Sequence, residues 1–225
     1  AFGDLTENKP KAMLEIDGVP VIERGIRSIR KAGIRDITVV TGYRPDAFKT
    51  GSVKYVNNPD WEQTGEVASL LTAIENVDSP LLVGYGDVVT RAWVPRKLIG
   101  QEGALTVVVD YAQREERSRK SIDYAKVTPD RAEGIKKVRY TLERIDAELA
   151  PATASGEWCG MLRTTEEGTA ILKKAVADLK AQGTDISSWS MPQLINHIVD
   201  AKLATVDVLF IHDNWLDLDD IVDLT

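Results

Sequence analysis

Apolar positions change period several times along the chain. Ile22, Ile26 and Ile29 share one helical face, behind Pro20, which can open a helix, and ahead of Gly33, which can stop one. Residues 34–41 form a nearly continuous β-branched run, the pattern of a strand buried on both faces, and 53–56 read as a second short strand. Val67, Leu70, Leu71 and Ile74 fit a helix over 66–76, and 81–83 and 105–109 are further apolar strands. Strand and helix alternating at this spacing predict an α/β fold with a mostly parallel, Rossmann-like mixed sheet flanked by helices. The middle differs. Segments 124–128 and 135–141 flank a loop containing Pro129 and Gly134 and read as an antiparallel hairpin, and 158–162 as a strand returning to the sheet. No period is visible over 143–155. Helices are expected over 165–182 and from Ser190, where Ser190, Pro192 and Gln193 spell a capping box. A strand over 205–211, a loop over 213–217 and a short helix over 219–224 close the chain.

At 225 residues the chain is read as a single domain over 1–225, large enough to bury a core without cross-links. A single cysteine excludes an internal disulfide framework. No apolar run reaches the ~20 residues of a membrane span, so no membrane partner and a cytoplasmic location are expected. The net charge of −7 argues against tracking a nucleic-acid backbone but leaves room for a small anion held locally.

Three residues suggest chemistry. Asp87 follows an apolar strand and Gly84-Tyr85-Gly86, at the end of the sheet where α/β folds bind ligands. Asp217 stands a few residues past the last strand. Two such acids can hold one cation, and Mg²⁺ accepts one or two protein carboxylates beside substrate phosphates. Taken alone, Asp87 is more simply read as a turn aspartate and Asp217 as the N-cap of the terminal helix; the pair is what suggests chemistry. Lys11, in a loop after Pro10, can offset phosphate charge, or simply be solvated. His197, His212 and Cys159 have no metal-ligand spacing or sequence-local base, and no Walker loop, nucleophile elbow or intact G-x-G-x-x-G is present.

The order of motifs carries further meaning. Lys9-Pro10-Lys11-Ala12-Met13-Leu14 precedes Gly18-Val19-Pro20-Val21-Ile22-Glu23, then Ala32-Gly33-Ile34 leading to Val39-Val40-Thr41-Gly42-Tyr43. Asn58, a helix with Ser69, Gly86-Asp87 and Trp215-Leu216-Asp217 follow in order. This resembles the nucleotidyltransferase superfamily over nearly the whole chain, and within it the short phosphonate and phosphocholine cytidylyltransferases, including the type fused to phosphoenolpyruvate mutase. The resemblance implies transfer of CMP from CTP to a small phosphonate (of the 2-aminoethylphosphonate or 2-hydroxyethylphosphonate type) or phosphate, with release of pyrophosphate. It implies Mg²⁺ on Asp87 and Asp217, with Lys11 and Asp87 catalytic. Gly3, Lys11, Asn58, Glu66, Ser69 and Asp87 would lie by the nucleotide, and Asp123, Lys126, Glu157 and Trp158 by the acceptor, under a small antiparallel lid over roughly 112–158. A phosphoenolpyruvate mutase domain, fused or associated, is the implied protein partner. Alternatives are a sugar-1-phosphate or phosphocholine nucleotidyltransferase, or a non-catalytic nucleotide-binding module. The superfamily's first strand and its G-x-G-x-R loop would stand before Ala1, so upstream residues are expected. The asparagine that the subgroup often carries near Gly65 and Glu66 is absent.

Overall fold

The computed structural model describes residues 3–112, 122–130 and 138–218. Lys11 lies in a 3-10 turn, Lys11–Met13, and two short strands follow, β1 (Glu15–Ile16) and β2 (Val19–Pro20). Asp17 and Gly18 join them, both at positive φ, as a two-residue hairpin turn requires. Helix α1 (Val21–Lys31) buries Val21, Ile22 and Ile26 and ends before Gly33, whose φ is 105°. Strand β3 (Thr38–Thr41) pairs in parallel with β4 (Lys54–Asn57). The strand predicted over 34–41 is therefore shorter than its β-branched run. The charged pair Arg35-Asp36 lies ahead of it, and its first residue, Thr38, is exposed.

Helix α2 (Glu66–Ile74) is followed by β5 (Leu82–Gly84), β6 (Val88–Thr90), α3 (Trp93–Ile99) and β7 (Leu105–Asp110). After them come β8 (Tyr124–Asp130), β9 (Arg139–Asp146), β10 (Gly156–Thr164), α4 (Glu166–Ala181), α5 (Met191–Asp200), β11 (Val206–Ile211) and β12 (Trp215–Asp217). Thr165 caps α4, and the predicted capping box at Ser190 and Gln193 opens α5. The expected loop over 213–217 contains strand β12 instead, because three residues pair there with β6. The segments 113–120 and 219–224 fall wholly or partly outside the described residues.

Six strands form one sheet in the order β5-β10-β7-β11-β9-β8. Strands β5, β7 and β11 run the same way, and β10 runs against β5 and β7 between them. The α/β class and mixed sheet are as expected. The parallel pairings are β3–β4 and β7–β11, so antiparallel pairs weigh more than the strand–helix alternation suggests. The antiparallel hairpin expected within the lid is present and is built onto the same sheet. Strand β9 meets β11 at Thr141, and β8 meets the start of β10. Strand β7 is buried along its whole length, as its mostly apolar, β-branched sequence suggests. Leu105, Val107 and Val109 pack with α2, α4 and α5; Val108 packs on the opposite side with Val94 and Leu98 of α3.

The β7–β10 register shifts between Trp158 and Leu162, around Gly160 at φ 67°. A Cβ at Gly160 would lie 2.6 Å from the Tyr85 ring. A glycine in the left-handed region is what such a bulge requires. Gly160→Ala is predicted to lower stability by roughly 2–4 kcal/mol, from backbone strain and overpacking together. A urea titration followed by circular dichroism checks this.

Candidate functional site

The carboxyl ends of β5, β7 and β11 lie at one edge of the sheet, and the chain places its acids there. Asp87 comes just after β5 and before β6, and β12 is reached from the end of β11. Strand β12 pairs antiparallel with β6, setting Asp217 opposite Val88, and Leu218 N donates to the Asp87 carbonyl at 3.2 Å. Leu218 is fully buried with Leu14 and Val21, which ties this ribbon to the segment after Lys11. Gly86 packs beside Ala12 and Ile22.

These contacts aim three charged groups at one point. Lys11 Nζ is 2.8 Å from Asp87 Oδ2 and 3.9 Å from Asp217 Oδ1. All three side chains keep about a quarter to a third of their surface exposed, so the cluster is open to a ligand. Two like charges held side by side repel unless a cation lies between them. Here the ammonium takes that place. The donors also suit Mg²⁺, a hard cation that takes one or two carboxylates and fills its other positions with water and phosphate oxygens. Among the described residues no group of three or more His, Cys, Asp or Glu gathers as a metal cage.

Next to this cluster stands Tyr85, which the sequence reading did not single out. Its hydroxyl donates to Glu66 Oε2 at 2.6 Å, and the same oxygen accepts from Met191 N at 2.7 Å. Glu66, itself exposed, thus joins the first turn of α2 to the first turn of α5. Burial, and then the fields of Glu66, Asp123 and Asp87, push the Tyr85 phenol far above its ordinary range and keep it a donor. Asp123 therefore faces the same region as Asp87. Its carbonyl accepts from Trp158 N at 2.8 Å.

The other expected site residues divide into groups. Gly3 begins a 3-10 turn, Gly3–Thr6, upstream of Lys11. Asn58 and Ser69 are brought together: the buried Asn58 amide donates to Ser69 Oγ at 3.1 Å and to Thr64 Oγ1 at 2.9 Å, while Asn58 Oδ1 accepts from Asp60 N. Asn58 thereby fastens the end of β4 to α2. Glu157 pairs with both Asp110 and Tyr124 in the sheet. Trp158 is buried, its indole donating to the Met161 carbonyl and its ring edge-on to Tyr85 at 5.6 Å. It supports the cleft from within the core rather than lining it. Lys126 sits on the hairpin and pairs with Glu143 at 3.1 Å.

Asp110 was also missed, although the signal that marked Asp87 applies to it: an acid closing an apolar strand. Its carboxylate is buried and accepts from Ala112 N, Asp213 N and the Trp215 indole.

An α/β sheet thus carries a carboxylate–ammonium–carboxylate cluster at its carboxyl edge. The chain belongs to the MobA-like NTP transferase domain family, whose sequence profile matches residues 5–185. It is 31% identical over 118 residues to the CTP:phosphoglutamine cytidylyltransferase of Campylobacter jejuni, covering 47% of this chain and 46% of that one. It is 29% identical over 76 residues to the 2-aminoethylphosphonate cytidylyltransferase of Lancefieldella rimae, covering 32% of this chain and 31% of that one. The matched stretches thus span about half the length of the first relative and a third of the second. In fold the chain is similar to the inositol-1-phosphate CTP transferase of T. maritima, with a TM-score of 0.74, 17% identity, and coverage of 100% of this chain and 86% of that one. No helix among the described residues is long and apolar enough to cross a membrane.

The raised Tyr85 pKa has a consequence for stability. An unfolded tyrosine ionises near pH 10. The folded phenol holds its proton to higher pH, so its contribution is complete below about pH 10 and is lost as pH rises further. Between pH 9 and 11 the urea midpoint of Tyr85→Phe is expected to fall less steeply than that of the wild type.

Proposed function

We propose that the chain is a Mg²⁺-dependent cytidylyltransferase that moves CMP from CTP to a small acceptor ending in a phosphonate or phosphate, with release of pyrophosphate. The observation that carries this reading is the Lys11 ammonium bracketed by Asp87 and Asp217 at the carboxyl edge of the sheet. Family membership and the cytidylyltransferases of C. jejuni and L. rimae support the class of reaction. The L. rimae relative supports the phosphonate as acceptor, over about a third of the chain.

In this reading an acceptor oxygen, already anionic, attacks the α-phosphorus of CTP. A new P–O bond forms as the bond to the leaving pyrophosphate breaks, and no general base is needed. The two reactants are anions, so the work left to the protein is to hold them in line and to offset their repulsion. Lys11 would face the phosphates and offset part of their charge. Asp87 and Asp217 would hold Mg²⁺, which supplies charge neutralisation and orientation of phosphate oxygens. Asn58 and Ser69 keep α2 beside the nucleotide, and Glu66 with Tyr85 fixes the first turn of that helix. The acceptor is assigned to the side of Asp123 and Glu157.

The test is pyrophosphate release from CTP and Mg²⁺ with 2-aminoethylphosphonate, 2-hydroxyethylphosphonate, phosphocholine and sugar 1-phosphates in turn, with ATP, GTP and UTP in parallel. Release with CTP and a phosphonate is expected. Lys11→Ala, Asp87→Asn and Asp217→Asn are each expected to lower kcat about a hundredfold, matching the roughly 3 kcal/mol that one charge-stabilising group contributes at such a site. They are expected to remain folded. CTP binding without release for any acceptor would instead support a nucleotide-binding module. Near-normal turnover in both aspartate variants would remove the two-carboxylate assignment.

A further inference from the structure

We propose that Asp110 is a positioning residue that sets where Asp217 stands, acting through Trp215 and the turn before it. Its effect on a bound cation rests on the reading of Asp87 and Asp217 given above.

Strand β12 is three residues long and, among the described residues, pairs only with β6, which is equally short. A two-stranded ribbon of this size does not hold its own register in water. The turn leading into it makes the difficulty worse. Asp213 and Asn214 both take left-handed conformations, at φ 53° and 70°. Asp and Asn are the non-glycine residues that enter this region most readily, and two in succession still gain from contacts that fix the turn. Asn214 contributes one pin, donating from its side chain to the His212 carbonyl at 2.8 Å.

Arg91 N contributes a second, donating to the Asn214 carbonyl at 2.9 Å, and further pins come from Asp110. It ends β7, buried between β10 and β11, and is only 1% exposed. Its Oδ1 accepts from Asp213 N at 3.1 Å and from Ala112 N at 2.9 Å, and its Oδ2 from Trp215 Nε1 at 2.7 Å. One carboxylate on the rigid central strand therefore grips the turn at Asp213 and the first residue of β12. Two residues on, Asp217 stands opposite Val88, next to Asp87. A shift of β12 along β6 would carry Asp217 away from Lys11, and a shift by one residue would turn its side chain to the other face of the ribbon.

The chemistry requires an acid here. Three N–H groups converge on the two oxygens, all as donors. Asparagine has one oxygen, and its NH₂ would point hydrogens at hydrogens. Charge-assisted bonds to a buried carboxylate are also the stronger kind. Asp110 touches no reacting group in this scheme; its action passes through β12.

The test compares wild type, Asp110→Asn, Trp215→Phe, Asp217→Asn and the Asp110→Asn/Asp217→Asn double variant. Trp215→Phe keeps the ring and removes only the indole donor, so it carries the test if Asp110→Asn does not fold. Hydrogen exchange without metal reads the backbone amides of β6 and β12 and of Leu218. Mn²⁺ titration followed by electron paramagnetic resonance reads the cation site without turnover. In both single variants at the anchor, exchange in β6 and β12 is expected to rise at least tenfold while the amides of β7 keep wild-type protection. Mn²⁺ affinity is expected to fall about tenfold in Asp110→Asn. The double variant should bind Mn²⁺ no more weakly than Asp217→Asn, since residues acting through one another are non-additive. Unchanged exchange in β6 and β12, or losses of affinity that simply multiply, would overturn the proposal. If Asp217→Asn leaves Mn²⁺ affinity intact, the cation reading of the site has failed, and the exchange data alone decide the role of Asp110.

Discussion

Everything at the carboxyl edge of this sheet depends on keeping two carboxylates beside each other. Asp87 and Asp217 come from segments 130 positions apart in the chain, roughly, and their charges repel. The Lys11 ammonium, 2.8 and 3.9 Å away, is the attraction that makes the arrangement tolerable. Being partly exposed, that attraction is screened by water and adds little to overall stability. The arrangement is therefore held by packing and hydrogen bonds behind it: Leu218 against Leu14 and Val21, the β6–β12 pairing, and the donors gathered on Asp110. The charges stand partly exposed, and the buried layer keeps them in place.

A second layer serves the other wall of the cleft. Glu66 receives Tyr85 and the α5 backbone on one oxygen, and Asn58 joins β4 to α2 through Ser69. Helix α2 is thus fixed at its first turn and at its fourth residue. Gly160 permits the Tyr85 ring to lie against β10, and Trp158 backs it from the core. Residues first read as ligand contacts, Glu66, Asn58 and Ser69, all spend side-chain bonding on other protein groups here. A residue engaged in this way shapes a site by fixing the backbone around it.

Much of the fold was legible. Helical spacing placed α1, α2 and α4, and Ser190 with Gln193 placed the start of α5. These are local effects, set within a few residues by burial, caps and allowed dihedral angles. Strands β6 and β12 and helix α3 were not legible. Each is three to seven residues long, too short for a period to show, and each exists because a distant partner covers it. The hairpin was seen, but its attachment to the large sheet through Thr141 and Tyr124 was not, since pairing partners leave no mark in local pattern.

The same division holds for the site. From the sequence alone came the acids at strand ends, the lysine in an early loop and the order of motifs that identifies the family. Those follow from residue type and position along the chain. Only the tertiary structure decided that Asp87, Asp217 and Lys11 meet at one point, that Trp158 is buried, that Lys126 is paired away on the hairpin, and that Asp110 and Tyr85 belong to the assembly. The reason is physical. Pattern records whether a side chain prefers water, whereas a site is made by distances between segments, and those are set by how the sheet is ordered and how its strands are packed.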